Sequence, residues 1–162
     1  MFIFAFSIVF NMLFVTKLVL FLLFICFSFF VSSQNMTVYR SKTSVEETTN
    51  NLISLIKQKE LKLFEVVYHQ DIAVERGTEI DTTNVILFED VMLSSALILC
   101  EQTSALDLPL KIIVWEEHED VYIGYFDPLL MRRKYLIDGC DETLKKMSGV
   151  ISRLINESLR MN

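Results

Sequence analysis

The chain has 162 residues, and its 15 basic and 21 acidic side chains give a formal net charge of −6. An acidic protein gains nothing from the counterion release that drives binding to nucleic acid or to anionic lipid, so the composition argues against both as partners. Lys17 is the only charged residue before Gln34, so the remainder, residues 34–162, has a net charge of −7. A chain of that length suits one domain with a single core.

The segment before Gln34 differs from the rest in being almost wholly apolar. Lys17 is its only charged residue, and it is followed by the apolar run Leu18–Val31 and then by Ser32 and Ser33. A charge, an apolar centre and small residues before a cut are the three parts of a secretion signal. We therefore predict a signal peptide over residues 1–33, cleaved before Gln34, and export of the domain 34–162 to the periplasm or the extracellular space.

Two alternatives stay open for this segment. It is long enough for an uncleaved membrane anchor, since about 20 apolar residues span a bilayer, and the domain would then be held outside the cytoplasm. Translation from Met12 instead of Met1 would leave a short charged region ending at Lys17. We expect membrane contact only through the N-terminal segment, and only if that segment is not cleaved.

The domain begins with a predicted strand and a predicted helix. Thr37–Arg40 is short and β-leaning. Ser44 and Glu47 form a capping box, in which a hydroxyl and a carboxylate three residues apart satisfy the first N–H groups of a helix. Apolar residues then recur at helical spacing, which predicts an amphipathic helix to about Lys59.

The next segments predict mainly strands. Leu61–His69 is interpreted as a strand ending at His69, and Asp71–Arg76 as a short helix closed by Gly77. Further strands are predicted at Val85–Phe88, Ala96–Cys100, Leu110–Glu116 and Val121–Phe126.

A polar cluster and a final helix complete the pattern. Glu116–Asp120 is typical of a hairpin turn between two strands, and Asp141 is predicted to cap a helix with one apolar stripe. The predicted fold is α+β with the order β-α-β(4)-α: an antiparallel-rich sheet with two main helices on one face.

Several sequence features match one known family. They are Ser44–Glu47 at the first helix, His69 eight residues before Gly77, the block ALDLPLKIIVWE over Ala105–Glu116, and Tyr125–Pro128 at the expected distance after it. With these features the domain resembles the family called domain of unknown function 302, over nearly all of residues 37–160. The resemblance implies a compact fold similar to half of the TATA-binding-protein architecture and a homo-oligomer, but no established reaction. Some relatives are attached to electron-transfer or haem proteins.

One stretch departs from the family pattern. Relatives usually follow the strand that ends at Phe88 with a Gly-Asn-Pro-Lys-type loop, whereas this chain has Glu89-Asp90-Val91-Met92. Two carboxylates would repel an anion that the backbone of such a loop cradles. No family activity that depends on that loop is expected here.

His69 is the one side chain that we single out as a candidate ligand-binding residue. A histidine there suits a general base or a haem or metal ligand, although a lone histidine at a strand end more often bonds the backbone. The spacing of His69 and His118 predicts no metal site, and the chain has no motif for covalent haem. Haem at His69 is therefore a hypothesis, and no cofactor is evident.

The domain has two cysteines, Cys100 and Cys140. They can pair in an oxidising compartment. A predicted strand at Cys100 and a predicted helix start at Cys140 nevertheless favour two separate buried thiols.

The sequence contains no assembled catalytic set. Asp107 before Leu108-Pro109 and Asp127 before Pro128 are interpreted as turn and cap residues. We predict an exported module that binds a small ligand or a partner chain without established catalysis. The alternative is an enzyme that uses His69 with Asp71 or Asp107 as an acid–base pair.

Overall fold

The computed structural model describes Lys17 and residues 36–161. Apart from Lys17, the predicted signal peptide therefore lies outside the described residues. The chain divides into two compact units, Met1–Gln34 and Asn35–Asn162, and the elements below all belong to the second. Its described residues form their own hydrophobic core, as an independent domain requires. No helix among the described residues combines the length and the apolar character needed to cross a membrane.

The strands of the described domain are β1 Met36–Ser41, β2 Lys62–Tyr68, β3 Thr83–Glu89, β4 Leu110–Glu117 and β5 Asp120–Phe126. The α-helices are α1 Val45–Gln58, α2 His69–Val74, α3 Val91–Cys100, α4 Met131–Lys134 and α5 Asp141–Arg160. Two 3-10 turns, Gln102–Asp107 and Pro128–Leu130, precede β4 and α4.

The strands form one antiparallel sheet in the order β1-β5-β4-β3-β2. β1 and β2 are neighbours in sequence but form opposite edges, because the chain between them, which contains α1, crosses the whole sheet. The remaining strands follow one another as spatial neighbours. This arrangement confirms the predicted α+β class and its β-α-β(4)-α order.

The two faces of the sheet differ sharply in burial. One face is packed into the same core as α1 and α5, and its buried side chains include Ile86, Phe88, Leu110, Ile112, Val114 and Ile123. On the other face, which we call the open face, every side chain of the described strands is at least partly exposed. The middle row of the open face, read from β1 to β2, is Val38, Gly124, Ile113, Val85 and Val67.

Polar bonds join α1 to the sheet and to α5. As the capping box predicts, the Ser44 hydroxyl accepts from the Glu47 N–H at 3.2 Å. Buried Asn84 on β3 donates to the Thr49 hydroxyl on α1 at 3.1 Å, and an ion pair between α1's C-cap, Lys59, and Glu157 joins the ends of α1 and α5 at 2.7 Å.

The strand predicted over Ala96–Cys100 is wrong, because this stretch is the second half of α3. The Asp90 carboxylate caps α3 by accepting from the N–H groups of Met92 and Leu93 at 3.0 and 3.1 Å. The run that follows is mostly apolar on every side, so hydrophobic periodicity does not distinguish a strand from a helix there.

Two predicted boundaries also shift. β2 ends at Tyr68, and His69 begins α2 instead of ending the strand. Gly77 follows that helix with a φ of +75°, as a helix-closing glycine requires. Asp141 is the first residue of α5 and not its cap, since Cys140 occupies the cap position without a side-chain bond. An acid in the first turn still favours the helix dipole.

The predicted hairpin turn between β4 and β5 is confirmed. Glu117 pairs with Asp120, so His118 and Glu119 form a two-residue loop. Both have positive φ values, 51° and 69°, which is the conformation of a type I′ turn. His118 therefore projects from a solvent-exposed turn.

A disulfide joins Cys100 to Cys140, with their Cα atoms 6.5 Å apart. The prediction of separate thiols is wrong because it depends on placing Cys100 in a strand. As the last residue of α3, Cys100 instead lies beside the start of α5. The bond closes a loop with a sequence separation of 40 residues and links the end of α3 to the start of α5.

Candidate functional site

A cleft of about 670 Å³ opens at the end of the sheet where β4 begins and β5 ends. Its walls come from the 3-10 turn Gln102–Asp107, the two strand ends and α4. We call it the Asp107 cleft. Its size lies within the range of small-molecule sites, and both blocks of sequence that carried the family resemblance, Ala105–Glu116 and Tyr125–Pro128, contribute to its lining.

An ion pair spans the cleft. The Lys134 ammonium lies 2.8 Å from each carboxylate oxygen of Asp107. The hydrogen bond to Asp107 raises the pKa of Lys134 above its ordinary value, so the lysine stays charged. The β4–β5 hairpin lies between the two side chains in sequence, and its return to the same end of the sheet brings them together.

The two carboxylates of the cleft are already engaged. Asp107 binds Lys134, and Asp127 caps the 3-10 turn Pro128–Leu130 by accepting from the Leu129 N–H at 2.9 Å. The cap predicted at Asp127 is thereby confirmed. Asp127 keeps its negative charge in this role, because a backbone N–H does not neutralise a carboxylate, whereas the charge of Asp107 is balanced by Lys134.

Two cations of the cleft have no carboxylate partner among the described residues. The Lys111 ammonium donates only to the carbonyl oxygens of Asp107 and Pro109, at 3.3 and 3.0 Å. Arg133 is exposed and forms no ion pair in the described part of the chain. The cleft lining has three cations and two carboxylates, a formal charge of 3 − 2 = +1, in a domain whose net charge is negative.

Apolar side chains complete the lining. Leu106 is 80% exposed and Phe126 is 65% exposed, although both are large apolar residues that favour burial. Leu130 and buried Met131 continue this surface on the α4 side. The combination of two cations that lack a carboxylate partner among the described residues with apolar walls is complementary to an anion that has an apolar body.

A second cleft, of about 780 Å³, lies at the opposite end of the sheet. The end of β1 and the β4–β5 hairpin form it, and an Arg40–Asp120 ion pair crosses it. Eight of its ten lining residues are polar or charged, whereas ligand sites are usually lined by apolar residues with a few polar groups. Of the two, the Asp107 cleft better fits a small-molecule site.

His69 lies away from the Asp107 cleft. It is exposed at the start of α2, directly after the edge strand β2. Its apolar neighbours Tyr68 and Ile72 are 41% and 52% exposed. A bound haem is normally enclosed by apolar walls, and these exposed surroundings fit that requirement poorly.

The structure does not bring His69 together with either carboxylate of the acid–base hypothesis. Asp71 follows two residues later in the same helix, a spacing at which side chains do not face each other. The register of β2, β3 and β4 places Asp107 beyond the start of β2 and His69 beyond its end. The length of β2, about 20 Å, separates those positions. Among the described residues, no three His, Cys, Asp or Glu side chains form a group that could hold a metal ion.

Sequence reasoning missed the cations of the Asp107 cleft. The run Arg132-Arg133-Lys134 was a usable signal, because it is the densest basic stretch of an acidic domain. Its meaning depends on tertiary contacts, however. Arg132 pairs with Asp141 at 3.0 Å, Lys134 pairs with Asp107, and only Arg133 is left without a carboxylate among the described residues.

An antiparallel sheet with one helix layer and a cleft at one end defines a two-layer α+β domain. Residues 37–154 match the family described as domain of unknown function DUF302, and because the match covers most of the chain, the protein belongs to that family. The resemblance found in the sequence is thus confirmed.

A solved structure is similar to this domain. It is the crystal structure of an uncharacterized conserved protein DUF302 from Bacillus stearothermophilus, with a TM-score of 0.65 and 16% sequence identity. The match covers 79% of this chain and 98% of that one. At this identity it shows the shared fold alone. The comparison with curated proteins finds no match.

Proposed function

We propose that this protein is an exported binding module and that the Asp107 cleft holds its ligand, a small anion with an apolar body. The observation that carries the proposal is the pair of cations, Lys111 and Arg133, beside exposed Phe126 and Leu106. A carboxylate or sulfonate would gain charge-assisted hydrogen bonds from the cations, and its apolar part would cover the exposed side chains. We favour binding over catalysis because the Asp107 carboxylate and the Lys134 ammonium are bonded to each other, and Asp127 caps a turn.

The test is a titration of the domain Asn35–Asn162 with 8-anilinonaphthalene-1-sulfonate, an apolar-bodied anion whose fluorescence reports binding. Replacing Arg133 by glutamine is expected to weaken binding about threefold to fivefold, because an exposed ion pair contributes up to about 1 kcal/mol. The matched control is Arg132→Gln, which removes the same charge one residue earlier, outside the cleft lining.

The control variant should bind the probe as the unmodified domain does. Equal losses in the Arg132 and Arg133 variants would assign the effect to net charge instead of the cleft. Linear, non-saturating fluorescence would contradict the proposal altogether.

Export is the second part of the proposal. It rests on the order of Lys17, the apolar run and the two serines. The disulfide supports it, because disulfides persist mainly in oxidising compartments. The intact mass of the protein isolated from its host is expected to correspond to a chain that begins at Gln34. A mass that retains the segment from Met1 or Met12 would favour the membrane-anchored alternative.

Haem binding at His69 stays a prediction with its own test. Adding haem to the domain and recording the absorption spectrum would show a saturable shift of the Soret band if His69 is an axial ligand, and His69→Ala would abolish that shift. A flat titration, or one that is unchanged by the substitution, would reject haem at this residue.

A further inference from the structure

A smaller hollow, of about 450 Å³, adjoins the Asp107 cleft. Leu130 and Arg133 line both hollows, so the two meet along these side chains. The rest of the lining of the smaller hollow is mostly apolar and consists of Leu129, Leu136, buried Ile137 and Arg132. We call this hollow the Leu136 groove. Together with the Asp107 cleft it forms one continuous surface.

Leu136 has a backbone conformation that leucine disfavours. Its φ is +53°, in the left-handed region where glycine is the usual residue after a helix. A hydrogen bond from the Ile137 N–H to the Arg132 carbonyl, at 2.9 Å, holds the chain in this turn. The Leu136 side chain is nevertheless 86% exposed, so burial within the described domain offsets little of the cost. Contact with a ligand accounts for a leucine here better than stability does.

The two ends of the continuous surface differ in charge. The Asp107 cleft contains Lys111 and Arg133, neither of which has a carboxylate partner in the part of the chain that the structure describes. In the Leu136 groove, by contrast, Arg132 is paired with Asp141 at 3.0 Å. The cleft therefore offers charge to a ligand, and the groove offers apolar contact.

A ligand that satisfies both ends has an anionic head and an apolar tail. We infer that it is a single-chain alkyl carboxylate, with its head between Lys111 and Arg133 and its tail along Leu130 into the Leu136 groove. The inference rests on the proposed ligand site and adds the chemical class and the shape of the ligand. A tail in the groove would cover Leu129 and Leu136, of which 44% and 86% are otherwise exposed.

The charge of the cleft favours a carboxylate as the head group. The three cations and two carboxylates of its lining have a formal charge of +1, which a singly charged head neutralises and a doubly charged phosphate would exceed. A carboxylate also matches the planar donor geometry of the Arg133 guanidinium.

The length of the tail should control the affinity. Fully burying one methylene strengthens binding about fourfold. An alkyl chain in an open groove is about half covered, so about twofold for each methylene is expected. Four additional methylenes then strengthen binding roughly 16-fold, provided that the tail reaches the groove.

Isothermal titration calorimetry of the domain Asn35–Asn162 with hexanoate and decanoate, both below the concentration at which micelles form, tests the inference. Decanoate is expected to bind roughly 16-fold more tightly than hexanoate. Leu136→Ala should lower this affinity ratio about fivefold, because it removes much of the surface that the longer tail contacts. The matched control is Leu99→Ala, which removes the same atoms from a side chain of similar exposure, 87%, that lines neither hollow.

Leu136→Gly provides a second variant whose backbone suits the positive φ, so it folds even if Leu136→Ala does not. A lower ratio in the Leu136 variants with an unchanged ratio in the Leu99 variant would support the inference. Equal affinities for hexanoate and decanoate, or a ratio that neither Leu136 substitution lowers, would overturn it.

A further pair of outcomes separates this inference from the proposed ligand site. If the domain binds 8-anilinonaphthalene-1-sulfonate in an Arg133-dependent way but does not bind decanoate, the site stands and the alkyl carboxylate is wrong. Binding to phosphatidylglycerol vesicles without binding to monomeric decanoate would assign the surface to a membrane and equally overturn the inference.

Discussion

Replacing both Cys100 and Cys140 by serine is expected to lower the free energy of unfolding by about 4 kcal/mol. The disulfide spans 40 residues, and on the chain-entropy model closing a loop of that length in the unfolded chain accounts for about this amount. The loss should appear as a lower urea midpoint with little change in native secondary structure, because neither cysteine is one of the buried core residues and only partly buried Cys140 packs against them.

Reduction provides the control for this experiment. Dithiothreitol should destabilise the unmodified domain by about the same amount and leave the double-serine variant unchanged. If the oxidised domain contains two titratable thiols, or if reduction does not shift the urea midpoint, Cys100 and Cys140 are not bonded and the disulfide no longer supports export.

Replacing Phe88 by alanine is expected to cost about 3–5 kcal/mol, the usual range for removing a fully buried phenylalanine. Phe88 has no exposed surface and lies on β3 between the sheet neighbours Leu63 and Leu110. Its removal leaves a cavity beneath the helix layer that the surrounding strands cannot close.

Phe64→Ala is the matched control, because it removes the same side chain from β2, where Phe64 is 50% exposed. Its loss should stay near 1 kcal/mol, in proportion to the smaller buried area. Equal unfolding free energies for the two variants would mean that the buried face of the sheet is assigned to the wrong side.

Local patterns predict most of the fold. The capping box at Ser44 marks the start of α1, the polar run around His118 marks the hairpin, and the alternation in β5 defines its two faces. Each of these signals lies within a few residues of the structure that it specifies, and the physical cause is equally local: a cap, a turn conformation or a pleat.

The sequence-based predictions of secondary structure fail where the local pattern fits both a strand and a helix. α3 is apolar on most of its circumference, so its sequence resembles that of a buried strand, and only the cap at Asp90 distinguishes the two. Because Cys100 was assigned to a strand, the sequence did not indicate that it lies close to Cys140. One error in an element type therefore changes the expected chemistry of two cysteines.

The candidate site is the least predictable part. Asp107 and Lys134 are far apart in sequence and meet only because β4 and β5 return the chain to the same end of the sheet. Histidine is a chemically versatile residue, which is why His69 was a candidate from the sequence. In the structure it lies exposed at the start of a short helix, away from the Asp107 cleft. Sequence identifies such residues by type, and the fold decides which of them lie together.

Chemical-shift mapping by NMR tests the Asp107 cleft most directly. The ¹⁵N-labelled domain would be titrated with 8-anilinonaphthalene-1-sulfonate while each backbone amide is followed. The proposed site predicts saturable shifts concentrated in residues 106–111 and 126–134, with Arg133 among the largest. Shifts that cluster around His69 or in the cleft at the opposite end of the sheet, or the absence of saturable shifts, would contradict it.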